Sequence, residues 1–424
     1  MSAGKVLTLR SDLRAMIIDG VCYSVMVGVA ETYIPKFAVD LGLGEVAGAL
    51  VATAPVVLGA ILQLAAPALL RRVGSYARFC SLCAWAQGAM YLPLAGVALA
   101  GPELMAWLRG HGGVWAAWVL VFGIAMLYWA ASLACGPAWS TLAGEIVPRR
   151  MHASYFAWRN RWLQLATLGG ILLNGAVLAG DQAGVLRRFA WVFLGAAVLR
   201  FVSAWYLGRY SAPKQQPREE RHVPLGELAA RLRDSHAGRW MMYVAGAHIA
   251  TQMAQPLLNP FMLKQLEMQG VRYSLLLAAW YGGKMLVYST AGRLAARRGS
   301  MALVRASAAG LVLLPLYWLA VPGYWVLVAA QVVSGMCWGA WELSVVLMNY
   351  DAVPPRERTS VYTWFQLVNE SSKTTGSLVG SGVFAGVGGG FVGYAAAFWA
   401  SAGMRLGSAL MLGWVGRRQG TKEE

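Results

Sequence analysis

Charged residues are scarce in this chain of 424 residues, and the shortage excludes most soluble folds. Asp, Glu, Lys and Arg together make up 13% of the sequence, whereas hydrophobic residues make up 58%. A soluble domain carries roughly 25% charged residues, so the length does not indicate two or three soluble domains. The composition predicts a protein that spans a membrane.

Acidic residues are the scarcer of the two charge types. The chain has 19 acidic and 36 basic residues, which gives a formal net charge of +17. In a soluble protein this balance would suggest a nucleic-acid partner. Here, however, the basic residues stand in short segments between apolar runs and are too scattered to follow a phosphate backbone. We therefore expect no nucleic-acid partner.

Cysteine and histidine are also few, with five of each. Cys80 and Cys83 form a C-x-x-C pair, but neither a second pair nor a histidine cluster accompanies it, which disfavours a zinc or redox site. The sequence shows no catalytic triad either. We expect no metal, no cofactor and no enzymatic activity.

Twelve stretches of the sequence are long and apolar enough to cross a bilayer as helices of about 20 residues. One long hydrophilic segment, residues 211–238, divides them into six and six. The sequence therefore predicts an all-α membrane protein of two six-helix bundles, 1–210 and 239–424, joined by a linker at 211–238. The predicted spans are 15–37, 46–69, 76–100, 114–144, 154–179, 189–209, 239–263, 271–296, 300–321, 324–350, 358–384 and 391–415.

The basic residues predict how these helices are oriented. One set of alternate loops, which includes both termini and the linker, holds 26 Lys and Arg, and the other set holds six. Lys-rich and Arg-rich loops stay on the cytoplasmic side. We therefore expect a multi-pass protein of the cytoplasmic (plasma or inner) membrane with both termini in the cytoplasm.

A basic turn occurs twice, each time directly after an apolar run. It reads LLRRVGS at 69–75 and GRLAARRGS at 292–300, so that Gly74 and Gly299 are 225 residues apart. The two halves therefore look like copies of one six-helix unit with the same orientation in the membrane. Further matching positions are Pro35 with Pro260, Pro148 with Pro354, and Gly170 with Gly376.

The repeated turn resembles the signature Gly-x-Leu-x-Asp-Arg-x-Gly-Arg-Arg of the major facilitator superfamily, which has two parallel six-helix halves. The resemblance implies a conformational loop motif and a central cavity lined by the first and fourth helix of each half. Two features depart from the family: Arg71 and Ala296 stand where the signature has Asp, and the fourth helix lacks the Arg of drug–proton exchangers. The motif residues carried over are Arg72, Gly74, Gly292, Arg297 and Gly299.

Polar side chains recur at helical spacing inside the predicted eleventh helix, at Gln366, Glu370, Lys373 and Ser377. Glu370 and Lys373 can touch as an i,i+3 pair. Charged groups in a bilayer core are costly and usually face a cavity or a partner. The face is therefore either an internal ion pair that makes insertion tolerable, or a site for substrate or protons.

The predicted seventh helix carries a second polar face, formed by His248, Gln252, Gln255 and Asn259. Amides both donate and accept hydrogen bonds, so this face either lines a cavity for a polar ligand or joins neighbouring helices. The remaining candidates for substrate binding or proton coupling are Glu31 in the first helix, Lys284 in the eighth, and Trp338 and Glu342 in the tenth.

We expect Lys284, Glu370 and Lys373 to meet at one water-accessible cavity. Two lysines beside one carboxylate would leave an excess positive charge for an anionic solute to neutralise. Glu31, Glu342 and Glu370 are the candidate proton carriers, because a carboxylate near a lysine can alternate between paired and protonated states.

These features predict a secondary transporter that moves a small polar organic solute by alternating access and with proton coupling. The two lysines extend this prediction to an anionic solute. No ATP-binding Walker motif is present in the sequence. Its expected partners are the solute, protons and the lipid bilayer, and we expect a monomer. One alternative is the efflux of amphipathic or aromatic compounds, and another is a membrane receptor or assembly factor that transports nothing.

Overall fold

The structure, a computed structural model, describes residues 3–51, 53–179, 184–211, 221–268, 270–320 and 323–416, and this part of the chain is helical without β-strands. Short 3-10 or π turns join several of the helices. The α-helices are α1 (Ala3–Val29), α2 (Ile34–Asp40), α3 (Glu45–Val51), α4 (Ala54–Leu62), α5 (Ala66–Val73), α6 (Tyr76–Ala89), α7 (Tyr91–Ile146), α8 (His152–Leu178), α9 (Val185–Leu207), α10 (Leu225–Ala230), α11 (His236–Gln252), α12 (Gln255–Pro260), α13 (Gly270–Arg298), α14 (Ser300–Val312), α15 (Tyr324–Ala352), α16 (Arg358–Gly386) and α17 (Gly390–Val415).

All twelve predicted spans are helical over most of their length. By length and composition alone, six helical stretches of the described chain are apolar enough to cross a membrane. Five of them lie before residue 210 and one lies after it, so the second half of the chain has the more polar helices. The six stretches are Thr8–Asp40, Ala54–Val73, Tyr76–Gly101, Trp115–Ile146, Val185–Leu207 and Tyr324–Ala352.

Prolines interrupt three of the spans that we predicted as continuous. A proline ring clashes with the carbonyl group four residues earlier. In each span a new α-helix begins with the proline in its first turn, at Pro35, Pro55 or Pro256. The α-helix before it ends four to six residues ahead of the proline. The first, second and seventh spans are therefore segmented. This corrects the prediction of unbroken helices at 15–37, 46–69 and 239–263.

Two other boundaries also differ from the prediction. The segment 101–113, predicted as a loop, is helical and belongs to the 56-residue helix α7. Gly101 within it has φ 37°, a value that glycine tolerates because it lacks a Cβ. In the ninth span, α14 already ends at Val312, three residues before Pro315, and turns follow.

The chain forms two compact units, and the division after His222 falls within the predicted linker. Two helices contribute to both units, because α8 and α16 each begin in one unit and continue in the other. The bundle boundaries predicted at 210 and 239 stay a prediction. Unit 1 consists of Met1–Pro148, Trp162–His222 and Arg358–Leu367, and unit 2 consists of Arg149–Arg161, Val223–Glu357 and Val368–Glu424.

Helices approach closely at glycines in both units, at positions that the sequence repeat pairs. In unit 1, a Cβ added to Gly170 of α8 would lie 2.7 Å from Val25 O of α1. In unit 2, a Cβ added to Gly376 of α16 would lie 2.5 Å from Ile249 O of α11. Any larger residue would push the backbones apart, so the paired glycines have the same packing role in each unit.

The glycines of the basic turns have two different functions. Gly74 and Gly299 have φ angles of 71° and 83°, and a Cβ on either would meet nothing within 4 Å, so the backbone conformation favours glycine there. Gly292 instead provides space, because its Cβ would lie 2.8 Å from Ala157 Cβ of α8. Arg72 and Arg297 are exposed.

Candidate functional site

Helices α13 and α15 of unit 2 pack backbone against backbone, and this contact positions one buried ion pair. A Cβ added to Gly283 would lie 2.0 Å from Val332 O, and one added to Gly335 would lie 2.0 Å from Trp280 O. Small residues allow such close approach. Lys284 directly follows Gly283 on α13, and Glu342 lies about two turns after Gly335 on α15. Lys284 Nζ and Glu342 Oε1 are 2.6 Å apart.

The Lys284–Glu342 pair lies among aromatic side chains. Lys284 Nζ is 4.0 Å from the centre of the Trp280 ring, a cation–π distance. The Tyr288 hydroxyl group donates a hydrogen bond of 3.1 Å to the other carboxylate oxygen of Glu342. The lysine side chain is 4% exposed and the glutamate side chain is 34% exposed, so the acid is the accessible member of the pair.

The predicted pair in the eleventh span is also present. Lys373 Nζ donates a hydrogen bond of 2.7 Å to Glu370 Oε1, both on α16. Here the exposure is reversed, because the lysine side chain is 36% exposed and the glutamate side chain is 13% exposed. Unit 2 thus has one accessible glutamate, Glu342, and one accessible lysine, Lys373.

His248 of α11 lies within electrostatic range of Lys373 and belongs to an aromatic cluster. Its ring meets Trp341 edge-on at 5.3 Å, and Trp341 meets Trp338 edge-on at 5.7 Å. The indole N–H of Trp341 donates to the Tyr243 hydroxyl group at 3.3 Å. Histidine, lysine and two indoles therefore occupy neighbouring positions on α11, α15 and α16.

The predicted charge balance around Lys284 is wrong. We expected two lysines beside one carboxylate, but Lys284 has a carboxylate of its own in Glu342, as Lys373 has in Glu370. The two pairs together carry no net charge, so the expected excess positive charge is not present among these four groups. Spacing along a single helix could not reveal that Lys284 and Glu342 meet, because the two residues stand on different helices.

The predicted polar face of the seventh span is interrupted. Gln252 is the last residue of α11 and Gln255 the first of α12, so the helical spacing that joined them does not continue. Gln255 and Asn259 are exposed, and Asn259 accepts a hydrogen bond of 3.3 Å from the Tyr273 hydroxyl group. His248 and Gln252 keep their common face on α11.

In unit 1, Glu31 occupies the break between α1 and α2. The Tyr128 hydroxyl group of α7 donates a short hydrogen bond of 2.5 Å to Glu31 Oε2. Behind it, Tyr91 Oη lies 3.0 Å from Tyr128 Oη and 2.9 Å from Met26 Sδ. Within the described part of the chain no Lys or Arg nitrogen lies within 4 Å of the Glu31 carboxylate, so hydroxyl groups are its partners.

A second buried network in unit 1 joins Arg200 to Asp19, two residues that the sequence analysis does not single out. The Arg200 guanidinium donates to Gln87 Oε1 at 2.7 Å and to Ser203 Oγ at 2.6 Å. Ser203 in turn donates to Asp19 Oδ1 at 2.6 Å, and Tyr210 donates to Asp19 Oδ2 at 3.1 Å. An arginine and an aspartate inside two separate apolar spans are the sequence pattern that could have predicted this network.

Gln366 belongs to the first part of α16, which unit 1 contains. Its side-chain oxygen lies near Gly136 of α7, 3.7 Å from where a Cβ on that glycine would stand. The predicted face of the eleventh span is therefore divided, with Gln366 in unit 1 and both Glu370 and Lys373 in unit 2.

Solved transporter structures are similar to the chain over almost its whole length. A bacterial homologue of the iron transporter ferroportin has a TM-score of 0.72 at 12% identity, covering 96% of this chain and 99% of its own. The E. coli fucose:proton symporter has a TM-score of 0.72 at 11% identity, covering 97% and 100%. A proton:xylose symporter has a TM-score of 0.65 at 13% identity, covering 96% and 95%. At these identities the likeness shows the fold alone.

The sequence itself gives the family. No curated protein sequence matches the chain at a significant level. A family profile described as Major Facilitator Superfamily, however, matches residues 104–377, which is more than half of the chain. With the helical spans described above, this match shows that the chain is a multi-pass membrane transporter of small-molecule solutes, that it is not an enzyme, and that it belongs to the Major Facilitator Superfamily.

Proposed function

We propose that this transporter moves a small polar organic solute by alternating access and couples the movement to protons. The observation that carries the proposal is the Lys284–Glu342 pair, in which a buried lysine holds an accessible glutamate. An unpaired charge in a membrane interior is costly, so Lys284 needs a partner in every state of the transport cycle. A solute with an acidic or hydroxyl group can take the place of Glu342 as that partner.

Protonation of the glutamate is the step that would release the lysine. A neutral carboxyl group binds an ammonium group more weakly than a carboxylate does, so a proton on Glu342 would favour exchange of the acid for the solute. Lys373 would contribute the second polar contact, because it is the accessible member of its own pair.

Glu31 is the proposed proton carrier in unit 1. Its carboxylate accepts from the Tyr128 hydroxyl group and has no cation within 4 Å in the described part of the chain. The carboxyl group can therefore gain a proton without leaving a lysine or arginine unpaired. The Tyr91–Tyr128 contact offers a chain of hydroxyl groups along which a proton can be relayed.

Efflux of amphipathic or aromatic compounds is the second candidate function. It is favoured by the edge-to-face contacts of His248, Trp341 and Trp338 in unit 2, since such rings can stack on an aromatic solute. The two candidates differ in the ligand that should stabilise the purified protein.

For the remaining features we propose the arrangement that the sequence predicts. Both termini and the linker lie in the cytoplasm, and the protein is a monomer in the cytoplasmic membrane. The conformational change involves the loop motif, which consists of Arg72, Gly74, Gly292, Arg297 and Gly299. Labelling of single cysteines from each side of the membrane tests the orientation.

The experiment for the solute has two steps. Thermal unfolding of the purified protein is first measured with sugars, amino acids, organic acids, phosphate esters and aromatic cations, and the stabilising class is then used in counterflow with proteoliposomes. We expect Lys373→Ala to unfold at a lower temperature than the wild type, because Glu370 is 13% exposed and loses its cation. The folded variant should lose at least tenfold in solute affinity.

The matched control is Lys36→Ala, because Lys36 forms an exposed i,i+4 pair with Asp40 at 2.6 Å. Removing an exposed pair on a helix costs about 0.3–0.5 kcal/mol, so the control should bind and transport normally. Wild-type binding and transport by Lys373→Ala would contradict the proposal and leave the Glu370–Lys373 pair a structural one.

A further inference from the structure

A further cationic group lies inside unit 2, and it has no acidic partner among the described residues. Arg405 of α17 is 6% exposed. Its guanidinium donates to two backbone carbonyl groups, Leu311 O at 2.9 Å and Thr251 O at 3.4 Å. These bonds use two of its five N–H donors, and Nε is buried without an acceptor among the described residues.

The neighbours of Arg405 are polar but uncharged. Within the described residues no carboxylate oxygen lies within 4 Å of the guanidinium, and the ionisable side chain in electrostatic range is Tyr317. The Tyr317 hydroxyl group donates to Gln331 Oε1 at 2.9 Å. An arginine keeps its charge in proteins, so a full positive charge is buried here with no compensating negative charge.

Unit 1 shows how a buried arginine on the corresponding helix is compensated. Arg200 of α9, the sixth span of its half, is 4% exposed, and Ser203 links it to the Asp19 carboxylate through two hydrogen bonds of 2.6 Å. Arg405 stands in the twelfth span, the last of the second half, where the described residues provide no equivalent of Asp19. The contrast indicates that the missing negative charge in unit 2 comes from outside the chain.

A small cavity adjoins Arg405 and offers a place for that charge. Its lining includes Arg405, Ser334, Gln255 and two indoles, Trp318 and Trp338. The cavity volume is about 30 Å³, and about 10–15 Å³ on this measure holds one water molecule. A monatomic anion fits this space.

We propose that the cavity beside Arg405 is a binding site for a halide ion such as chloride. The guanidinium supplies the positive charge and free N–H donors, and the Gln255 amide group can donate a further hydrogen bond. The ion supplies in unit 2 the negative charge that Asp19 supplies in unit 1. Arg405 joins α17 to α14 and α11 through its hydrogen bonds to Leu311 O and Thr251 O. We therefore expect the bound ion to stabilise the packing of α17 against these two helices.

The first test measures thermal unfolding of the purified full-length protein in detergent with sodium chloride, sodium bromide, sodium gluconate or sodium phosphate at equal ionic strength. We expect the midpoint to rise by several degrees in chloride and bromide relative to gluconate and phosphate. Arg405→Gln should abolish this difference, and Arg405→Lys, which keeps the charge, should retain part of it. Arg200→Gln is the matched control and should keep the full difference.

The second test does not depend on any variant. Anomalous diffraction from wild-type crystals grown in sodium bromide should show a bromide ion within hydrogen-bonding distance of the Arg405 guanidinium. Equal midpoints in all four salts, a halide effect that Arg405→Gln preserves, or the absence of bromide beside Arg405 would each overturn the proposal. A bromide ion there would support it even if Arg405→Gln failed to fold.

Discussion

The acidic groups of the two units have different partners. In unit 1, Glu31 accepts a hydrogen bond from a tyrosine. In unit 2, Glu342 and Glu370 are each paired with a lysine at 2.6 and 2.7 Å. A carboxylate held by a hydroxyl group can be protonated without leaving a charge unpaired. A carboxylate held by a buried lysine cannot, because its neutralisation leaves the ammonium group without a counterion.

This difference suggests a division of tasks between the units. Protonation of Glu31 has a small cost for the protein and is suited to carrying a proton. Protonation of Glu342 has a large cost unless another group replaces it at Lys284, and under the proposed mechanism that requirement would link the proton to the solute.

The largest expected effect comes from removing the accessible acid of a lysine pair. Glu342→Gln leaves Lys284 buried without a counterion, and loss of one partner of a buried pair costs about 3–5 kcal/mol. Because the Glu342 side chain is one-third exposed, we expect a loss near the lower end of this range in the free energy of unfolding. Chemical denaturation in detergent measures it.

The double variant Lys284→Met/Glu342→Gln is the control for that experiment. It removes the charge that Glu342→Gln leaves unpaired, so it should recover most of the lost stability. If the double variant is less stable than Glu342→Gln, Lys284 has another counterion and the contrast between the units fails.

An intermediate effect is expected from separating the helices that hold the pair. Gly283→Ala places a methyl group 2.0 Å from Val332 O, and overpacking of this kind costs about 1–3 kcal/mol. The adjacent Gly282 is the matched control, because a Cβ there would meet nothing within 4 Å. Thermal unfolding should show a lower midpoint for Gly283→Ala and an unchanged or higher one for Gly282→Ala, and equal midpoints would contradict the close helix contact.

The smallest expected effect on stability belongs to the acid of unit 1. Glu31→Gln keeps an acceptor for Tyr128, so the free energy of unfolding should change by about 1 kcal/mol or less, the size of one hydrogen bond. Transport in proteoliposomes should nevertheless lose its dependence on pH, while exchange of solute across the membrane continues.

Glu103→Gln is the control for Glu31, because Glu103 is exposed on α7. It should transport with the wild-type dependence on pH. A wild-type pH profile in Glu31→Gln would show that the proton is carried elsewhere, with Glu370 as the next group to test.

Sequence patterns predicted those features that depend on local order. The twelve spans follow from runs of apolar residues, and the Glu370–Lys373 contact follows from the geometry of a single helix. The breaks at Pro35, Pro55 and Pro256 could also have been predicted, since a proline disrupts the turn before it. The apolar pattern continues on both sides of each proline, so hydropathy alone does not indicate the breaks.

Contacts between helices were decided by the tertiary structure. Lys284 meets Glu342 because glycines let α13 and α15 touch. Among the residues that the structure describes, none brings a carboxylate to Arg405. Apolar runs and i,i+3 spacing are properties of a chain segment, so the sequence by itself determined the helices and their polar faces. Which charges neutralise one another depends on distances between segments far apart in the chain, and only their packing brings these within a few ångströms.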